Sequence, residues 1–179
     1  KYSVTLSLER MNNIKNFSSV NQSVEVEAGV ILERIHEFVD RRNFLYPLSM
    51  ASKGTCCIGG NLATNAGGIG VLKYGNARDL CLGLEVVLAD GSIINDIKTL
   101  KKDNTGYDLK NLFIGSEGSL GIITRAVLRL YPTPQNKIVA FFGVQNFNAA
   151  FKSYLEISKR FGQELQAFEL IRVGGLRFL

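Results

Sequence analysis

The chain has 179 residues, 46% of them hydrophobic and 21% charged, with a net charge of +5. That length bounds it to one well-buried core, or one domain with part of a second. No run of about 20 apolar residues marks a spanning helix, and no basic stripe interleaved with aromatics points to nucleic acid.

Nothing at the start reads as a signal peptide, and Lys1 points to a processed chain or a fragment. The cysteines Cys56, Cys57 and Cys81 and the single histidine, His36, assemble neither a disulfide framework nor a metal-ligand set. They read as small buried or turn residues in a reducing compartment.

In chain order, residues 4–8 alternate apolar with polar and predict a strand, followed by a polar turn over 9–13. Residues 23–28 alternate again, with Val24, Val26 and Ala28 on one face and Glu25 and Glu27 on the other. Gly29 breaks the pattern. Ile31, Leu32, Ile35, Phe38 and Val39 then share one helical face, opposite Glu33, Arg34, Glu37 and Arg41. This predicts an amphipathic helix of about three turns ending near Asn43. His36 falls beside the apolar stripe and reads as a helix-surface histidine. Residues 44–48 form a short extended piece held by Pro47.

The chain is organised around residues 53–75, KGTCCIGGNLATNAGGIGVLKYG. Glycine doublets stand at Gly59-Gly60 and Gly67-Gly68, with singles at Gly54, Gly70 and Gly75. Small or amide residues fill the gaps: Thr55, Asn61, Ala63, Thr64, Asn65 and Ala66. Ordering such a segment costs chain entropy. Glycine does, however, let backbone N–H groups approach an anion. Two readings stand level on the residues alone: the wall of a phosphate-bearing cofactor, or a corner of tight turns. Ile58, Leu62 and Ile69 predict a half-buried segment, with a short helix near 62–66. The pattern lacks the third small position of a nicotinamide loop and the lysine of a phosphate-binding NTPase loop.

Residues 80–89 and 92–96 are apolar runs joined through Asp90-Gly91, which predicts a hairpin. Residues 101–106 form a polar loop, and Asp108 caps a predicted short helix through Phe113. Residues 115–121 are a second glycine loop, or equally a plain turn. Residues 122–131 predict a strand with Ile122, Ala126, Leu128 and Leu130 on one side. Pro132 and Pro134 stop it and mark a domain boundary. Beyond it, residues 138–144 and 165–170 read as strands around a helix over 148–160, which carries Phe151, Tyr154, Leu155 and Ser158 at helical spacing.

GGNLATNAGG, the KYG that follows it, and LFIGSEGSLGIIT at 112–124 resemble the FAD-binding domain of the vanillyl-alcohol oxidase (PCMH-type) flavoproteins. LGLEVVLADGS (82–92) and KKDNTGYDLKNLFIGSEGSLGIIT (101–124) are similar to their D-2-hydroxyacid dehydrogenase branch. Within it the D-2-hydroxyglutarate dehydrogenases stand ahead of the D-lactate dehydrogenases and glycolate oxidase subunits. The resemblance implies an α+β fold. Residues 1–134 would be a PCMH-type FAD-binding domain, its second subdomain largely complete and its first truncated. Residues 135–171 would begin an α/β cap domain, and 172–179, RVGGLRFL, would be an atypical tail.

In such relatives the first glycine segment lies along the FAD pyrophosphate and toward the isoalloxazine. The resemblance therefore implies cofactor contacts for Pro47, Gly54, Thr55, Ile58, Gly59, Gly60 and Asn61. It implies them also for Ala63, Thr64, Asn65, Gly67, Gly68, Tyr74 and Gly75. Near the adenine end it implies Glu117, Gly118, Gly121, Ile122 and Ile123. Glu117 reaches a ribose or satisfies loop N–H groups, the second reading favoured. Tyr74 lines the site or only packs. No catalytic and no metal-ligating residue is expected in these 179 residues. The flavin is expected to be non-covalent, because His36 lies on a helix away from the glycine loops.

The implied activity is oxidation of a D-2-hydroxy acid, foremost D-2-hydroxyglutarate to 2-oxoglutarate, by hydride transfer to flavin. The implied electron acceptor is an electron-transfer flavoprotein or quinone, and the implied location is the mitochondrial matrix, or the cytoplasm in a bacterium. Three family features lie outside the sequence: an upstream phosphate loop, basic substrate-binding residues, and a histidine-rich motif for a divalent metal such as zinc. The chain is therefore expected to be a fragment, inactive by itself. Two further readings remain open: a D-lactate or glycolate oxidising relative, and a non-catalytic interaction module that binds no flavin.

Overall fold

The computed structural model describes residues 4–172 and 174–175. Its first half contains β1 (Ile14–Ser18), β2 (Ser23–Glu27), α1 (Leu32–Asp40), β3 (Phe44–Leu45), α2 (Ile58–Ala63) and α3 (Val71–Tyr74). Then come β4 (Cys81–Val87), β5 (Ile93–Asp96), α4 (Lys110–Phe113), β6 (Ile122–Arg129), β7 (Tyr131–Pro132) and α5 (Phe147–Phe161). Five strands form one antiparallel sheet in the order β1-β2-β6-β4-β5, and β3 pairs with β7 beside it. This is an α+β architecture.

The alternation in β2 sets the core. Val24 stands opposite Leu128 and Val26 opposite Ala126 across the β2–β6 ladder. Leu84 and Val86 of β4 join them, and α1 adds Leu32, Ile35 and Val39. Burying a side chain of this size is worth about 1.5–3 kcal/mol. The opposite sheet face carries charge. Arg125 donates to the carboxylates of Glu25 and Glu85, and Lys15 pairs with Glu27 at 2.8 Å. Asn13 and Asn16 donate to Glu27 and Glu25, so each buried carboxylate has a partner.

Several sequence expectations hold. The hairpin forms as predicted, although only Gly91 (φ 84°) uses a left-handed conformation. Asp90 instead accepts hydrogen bonds from Ser92 N and Oγ. Helix α1 ends at Asp40, three residues before Asn43, which turns the chain at φ 61°.

Others are corrected. Residues 4–8 form no strand, and Val4 and Leu6 are exposed with no strand to pair against among the described residues. The edge strand beside β2 is β1, whose apolar Ile14 and Phe17 are three residues apart. A register shift between them brings both against the core, which hides the period of two. A second shift falls in β6, where Glu85 faces Arg125 but Val86 faces Ile123. Thr124 is the extra residue, so Ile123 rather than Ile122 reaches the core.

The Asp108 side chain does not cap a backbone N–H of α4. Its carboxylate takes Lys110 Nζ and Asn111 Nδ2 instead. The predicted strands over 138–144 and 165–170 are absent among the described residues. Between them α5 forms as predicted, with the Asn146 side chain accepting from Ala149 N at 2.9 Å. Most of the tail over 172–179 lies outside the described residues. No described helix is long and apolar enough to cross a membrane.

Candidate functional site

The first glycine segment is laced to the end of β2 and the start of α1. Ile58 N donates to Val30 O, Gly59 N to Ala28 O, and Leu32 N to Cys56 O, each at 2.8–3.0 Å. These bonds start α2 at Ile58, four residues earlier than the helix expected near 62–66. They also explain one glycine. A Cβ at Gly59 would lie 2.6 Å from Ala28 Cβ and 3.0 Å from its carbonyl oxygen. Gly68 is packed in the same way against Ser49, whose carbonyl accepts from Ile69 N at 3.0 Å.

Gly60 is different. It is exposed, and a Cβ there would meet nothing within 4 Å. Thr64 and Gly67 are exposed beside it in the sequence. The segment is thus divided: Gly59, Asn61 and Leu62 face the interior, while Gly60, Thr64 and Gly67 face outward.

The two glycine loops, some fifty residues apart, meet at the C-terminal end of α2. Gly115 N donates to Leu62 O at 3.1 Å and Glu117 N to Ala63 O at 2.9 Å. Gly115, Glu117 and Gly118 all take positive φ (84°, 51° and 78°), which lets the second loop turn sharply onto the helix end. Arg78 ties the junction from below. Its N–H donates to Asn65 Oδ1, and its guanidinium donates to the carbonyls of Asn111 and Ile114. Sequence reasoning missed Arg78, because nothing in its spacing reveals partners 13 to 36 residues away.

The polar side chains expected to face a cofactor are mostly engaged within the fold. Asn61 is buried with Nδ2 toward Cys56 Sγ at 3.5 Å. Thr64 Oγ1 donates to Gly60 O at 3.0 Å, and Asn65 Oδ1 is taken by Arg78. Thr55 Oγ1 donates to Ser52 O, and Gly54 is exposed beside it. The Glu117 carboxylate makes no hydrogen bond among the described residues, against the expectation that it satisfies loop N–H groups. What the surface offers a ligand is therefore chiefly backbone.

Tyr74 is buried and packs edge-to-face on Tyr131 at 4.8 Å. Gly75, at φ 76°, leaves room for the Asp79 carboxylate, which accepts from Asn76 N at 2.8 Å. Pro47 is buried in the segment under Gly70. His36 is not a surface histidine. It is half-buried and Nε2 donates to Leu48 O at 2.9 Å, with burial pushing its pKa below the ordinary value. Gly121 packs against Val86 and Val87 of β4, Ile122 is half-buried, and Ile123 is core. The cysteines are free. Burial pushes the Cys81 thiol up to about 12 and raises that of Cys57, which leaves both poor nucleophiles at neutral pH.

The fold is an antiparallel α+β sheet with two hydrogen-bonded glycine loops at its side, and its similarity to known proteins places it among the FAD-binding domains of the PCMH type. Two solved structures of alkyldihydroxyacetonephosphate synthase match it with TM-scores of 0.63 and 0.62. Each is 25% identical and covers 72% of this chain, which corresponds to 23% and 24% of theirs. The chain belongs to the FAD binding domain family, whose model matches residues 1–96. Among curated relatives, a mitochondrial D-2-hydroxyglutarate dehydrogenase of Bos taurus is 46% identical over 94% of this chain and 31% of its own length. That of Danio rerio is 42% identical over 98% and 33%. A D-2-hydroxyglutarate–pyruvate transhydrogenase of Saccharomyces cerevisiae is 39% identical over 97% and 35%. The chain spans about a third of the length of these relatives.

Proposed function

We propose that this chain carries part of an FAD site in an enzyme that oxidises a D-2-hydroxy acid, D-2-hydroxyglutarate first among them. One observation carries the reading. Gly60 leaves open space where any other residue would place a Cβ, on a ridge to which the second glycine loop is bonded. A bare backbone of this kind fits the close approach of a pyrophosphate. The residues that would hold the cofactor are Gly60, Thr64 and Gly67 from the first loop. Glu117 and Gly118 would add the second, with the Glu117 carboxylate accepting from a ribose hydroxyl. Gly59, Gly68, Gly75 and Gly121 act one step back, by letting neighbouring segments close on the ridge. Pro47, Asn61 and Tyr74 support it from the buried side.

FAD, when bound non-covalently, supplies the two-electron acceptor for the substrate's α-hydrogen. This chain's own share is to bind and orient the cofactor. Groups for the substrate carboxylate and for a divalent metal are expected from sequence not contained in these 179 residues, so the chain alone is expected not to turn over. The names of the relatives support the substrate class and a mitochondrial location, here taken as the matrix. An electron-transfer flavoprotein or a quinone is the proposed acceptor.

The test is the visible spectrum of the chain dialysed with and without FAD. Binding appears as a shifted, structured band with quenched flavin fluorescence, and Gly60→Val removes it while leaving the unfolding midpoint in place. Equal FAD affinity in the variant would overturn the assigned wall. A second reading has one observation in its favour. The amides of Gly59, Asn61, Thr64, Asn65, Ala66 and Ile69 already have internal acceptors. If no flavin binds at tens of micromolar, the chain is better read as a module without cofactor.

A further inference from the structure

A cleft of about 310 Å³ opens where the loop over residues 98–111 faces the start of β4 and the end of β6. Its lining contains Arg78, Lys98, Lys101, Lys110 and Arg129, against Asp79, Asp103 and Asp108, so it is net positive. None of the glycine-wall residues lines it. Two of the cations are neutralised locally. Lys98 is held between Asp96 and Asp103, at 3.1 Å from each, and Lys110 sits 2.7 Å from Asp108. The acids are occupied too: Asp103 also accepts from Thr105 N and Oγ1, and Asp79 from Asn76 N.

Three cations remain without a carboxylate among the described residues. Arg78 is bonded only to carbonyl and amide oxygens, and Lys101 to the neutral Gln22 Oε1 at 3.1 Å. Arg129 has less. Its Nε is buried with no hydrogen-bond partner, and its guanidinium lies 5.0 Å from the Tyr131 ring centroid. Buried polar groups are nearly always partnered. A guanidinium presents a rigid fork of donors that matches a carboxylate or phosphate two oxygens at a time. An open, net-positive cleft lined by a guanidinium that has no hydrogen-bond partner among the described residues, its Nε itself buried, suits an oxyanion.

We propose that this cleft binds a small molecule bearing a carboxylate or phosphate, with Arg129 contacting the anion and Arg78 and Lys101 supplying the surrounding positive charge. The site is separate from the glycine wall, and the proposal does not rest on the flavin reading.

The test titrates the 179-residue chain with inorganic phosphate and, in parallel, with succinate, at ionic strength held constant with sodium chloride. At least one anion is expected to raise Tm saturably, by about 5–10 °C at a hundredfold excess over Kd. Phosphate alone marks a phosphate ligand and succinate alone a carboxylate. Arg129→Gln is expected to weaken binding about 10- to 100-fold and to leave FAD binding intact, whereas Gly60→Val leaves the anion effect intact. Should Arg129→Gln not fold, Lys101→Gln on the exposed loop and the phosphorus-31 linewidth of phosphate with the wild-type chain give the same decision. The proposal is overturned if neither anion exceeds chloride, or if the variants bind as the wild type does.

Discussion

Residues 14–132 and residues 138–171 both carry apolar side chains at regular spacing, yet they end in different states. In the first region Val24, Leu32, Ile35, Leu62, Leu84 and Leu128 are almost wholly buried. In the second only Ala150 is buried, while Ile138 and Val139 are over 80% exposed and Phe151 about half. The difference lies in partners. Each strand of the first region has a neighbour that takes its backbone hydrogen bonds, and helices pack against β3, β4 and β6. The extended pieces of the second region have no such neighbour among the described residues. A helix closes its own backbone bonds, so α5 forms there with its Asn146 cap while the strands do not.

The largest expected effect separates the two regions directly. Leu128→Ala, at the centre of β6, should lower the unfolding free energy in urea by about 2–5 kcal/mol. Phe151→Ala on α5 should change it by no more than about 0.5 kcal/mol. Equal losses would mean that α5 buries a face against something in solution.

The two adjacent glycines of α2 repeat the contrast on a smaller scale. Gly59→Ala drives a methyl into Ala28 and should cost about 1–3 kcal/mol. Gly60→Ala meets open space and should stabilise by up to about 1 kcal/mol through helix propensity. Thermal unfolding of both variants decides this. Asn146→Ala should remove about 1 kcal/mol from the cap of α5, read as lost helicity by circular dichroism.

The acid limb tests how β1 is held. Lys15 and the Asn13 backbone depress the Glu27 carboxyl from 4.5 to about 2. A folded-state pKa below the unfolded value gives stability that is present above about pH 4.5 and is lost as pH falls toward 2. Glu27→Gln should flatten that loss in acid-denaturation curves. The smallest effect comes from His36, whose pKa is lowered chiefly by burial. The unfolded chain binds the proton more readily, so stability should fall as pH drops below the ordinary value of 6.5. His36→Gln should abolish that slope near pH 6.5 in the same curves.

Much was legible in the residues: the β4–β5 hairpin, α1, α5, and a half-buried segment around Ile58 and Leu62. The missed features share one cause. The register shifts in β1 and β6 replace a period of two with a local skip, and only the neighbouring strand shows where the skip falls. Arg78 gave no local sign because its partners come from Asn65, Asn111 and Ile114. The loops that looked separate, at 53–75 and 115–121, share the bonds from Gly115 and Glu117 to Leu62 and Ala63.

The sequence by itself determined where the backbone is bare, because glycine alone carries no Cβ. It also determined that α1 and α5 would form, since a helix bonds within a single stretch of chain, whereas the bonds to Ala28 and Val30 set the start of α2. Only the tertiary structure decided which glycines serve packing and which face open space. Gly59 and Gly60 are chemically identical neighbours, and Ala28 lies against one and not the other.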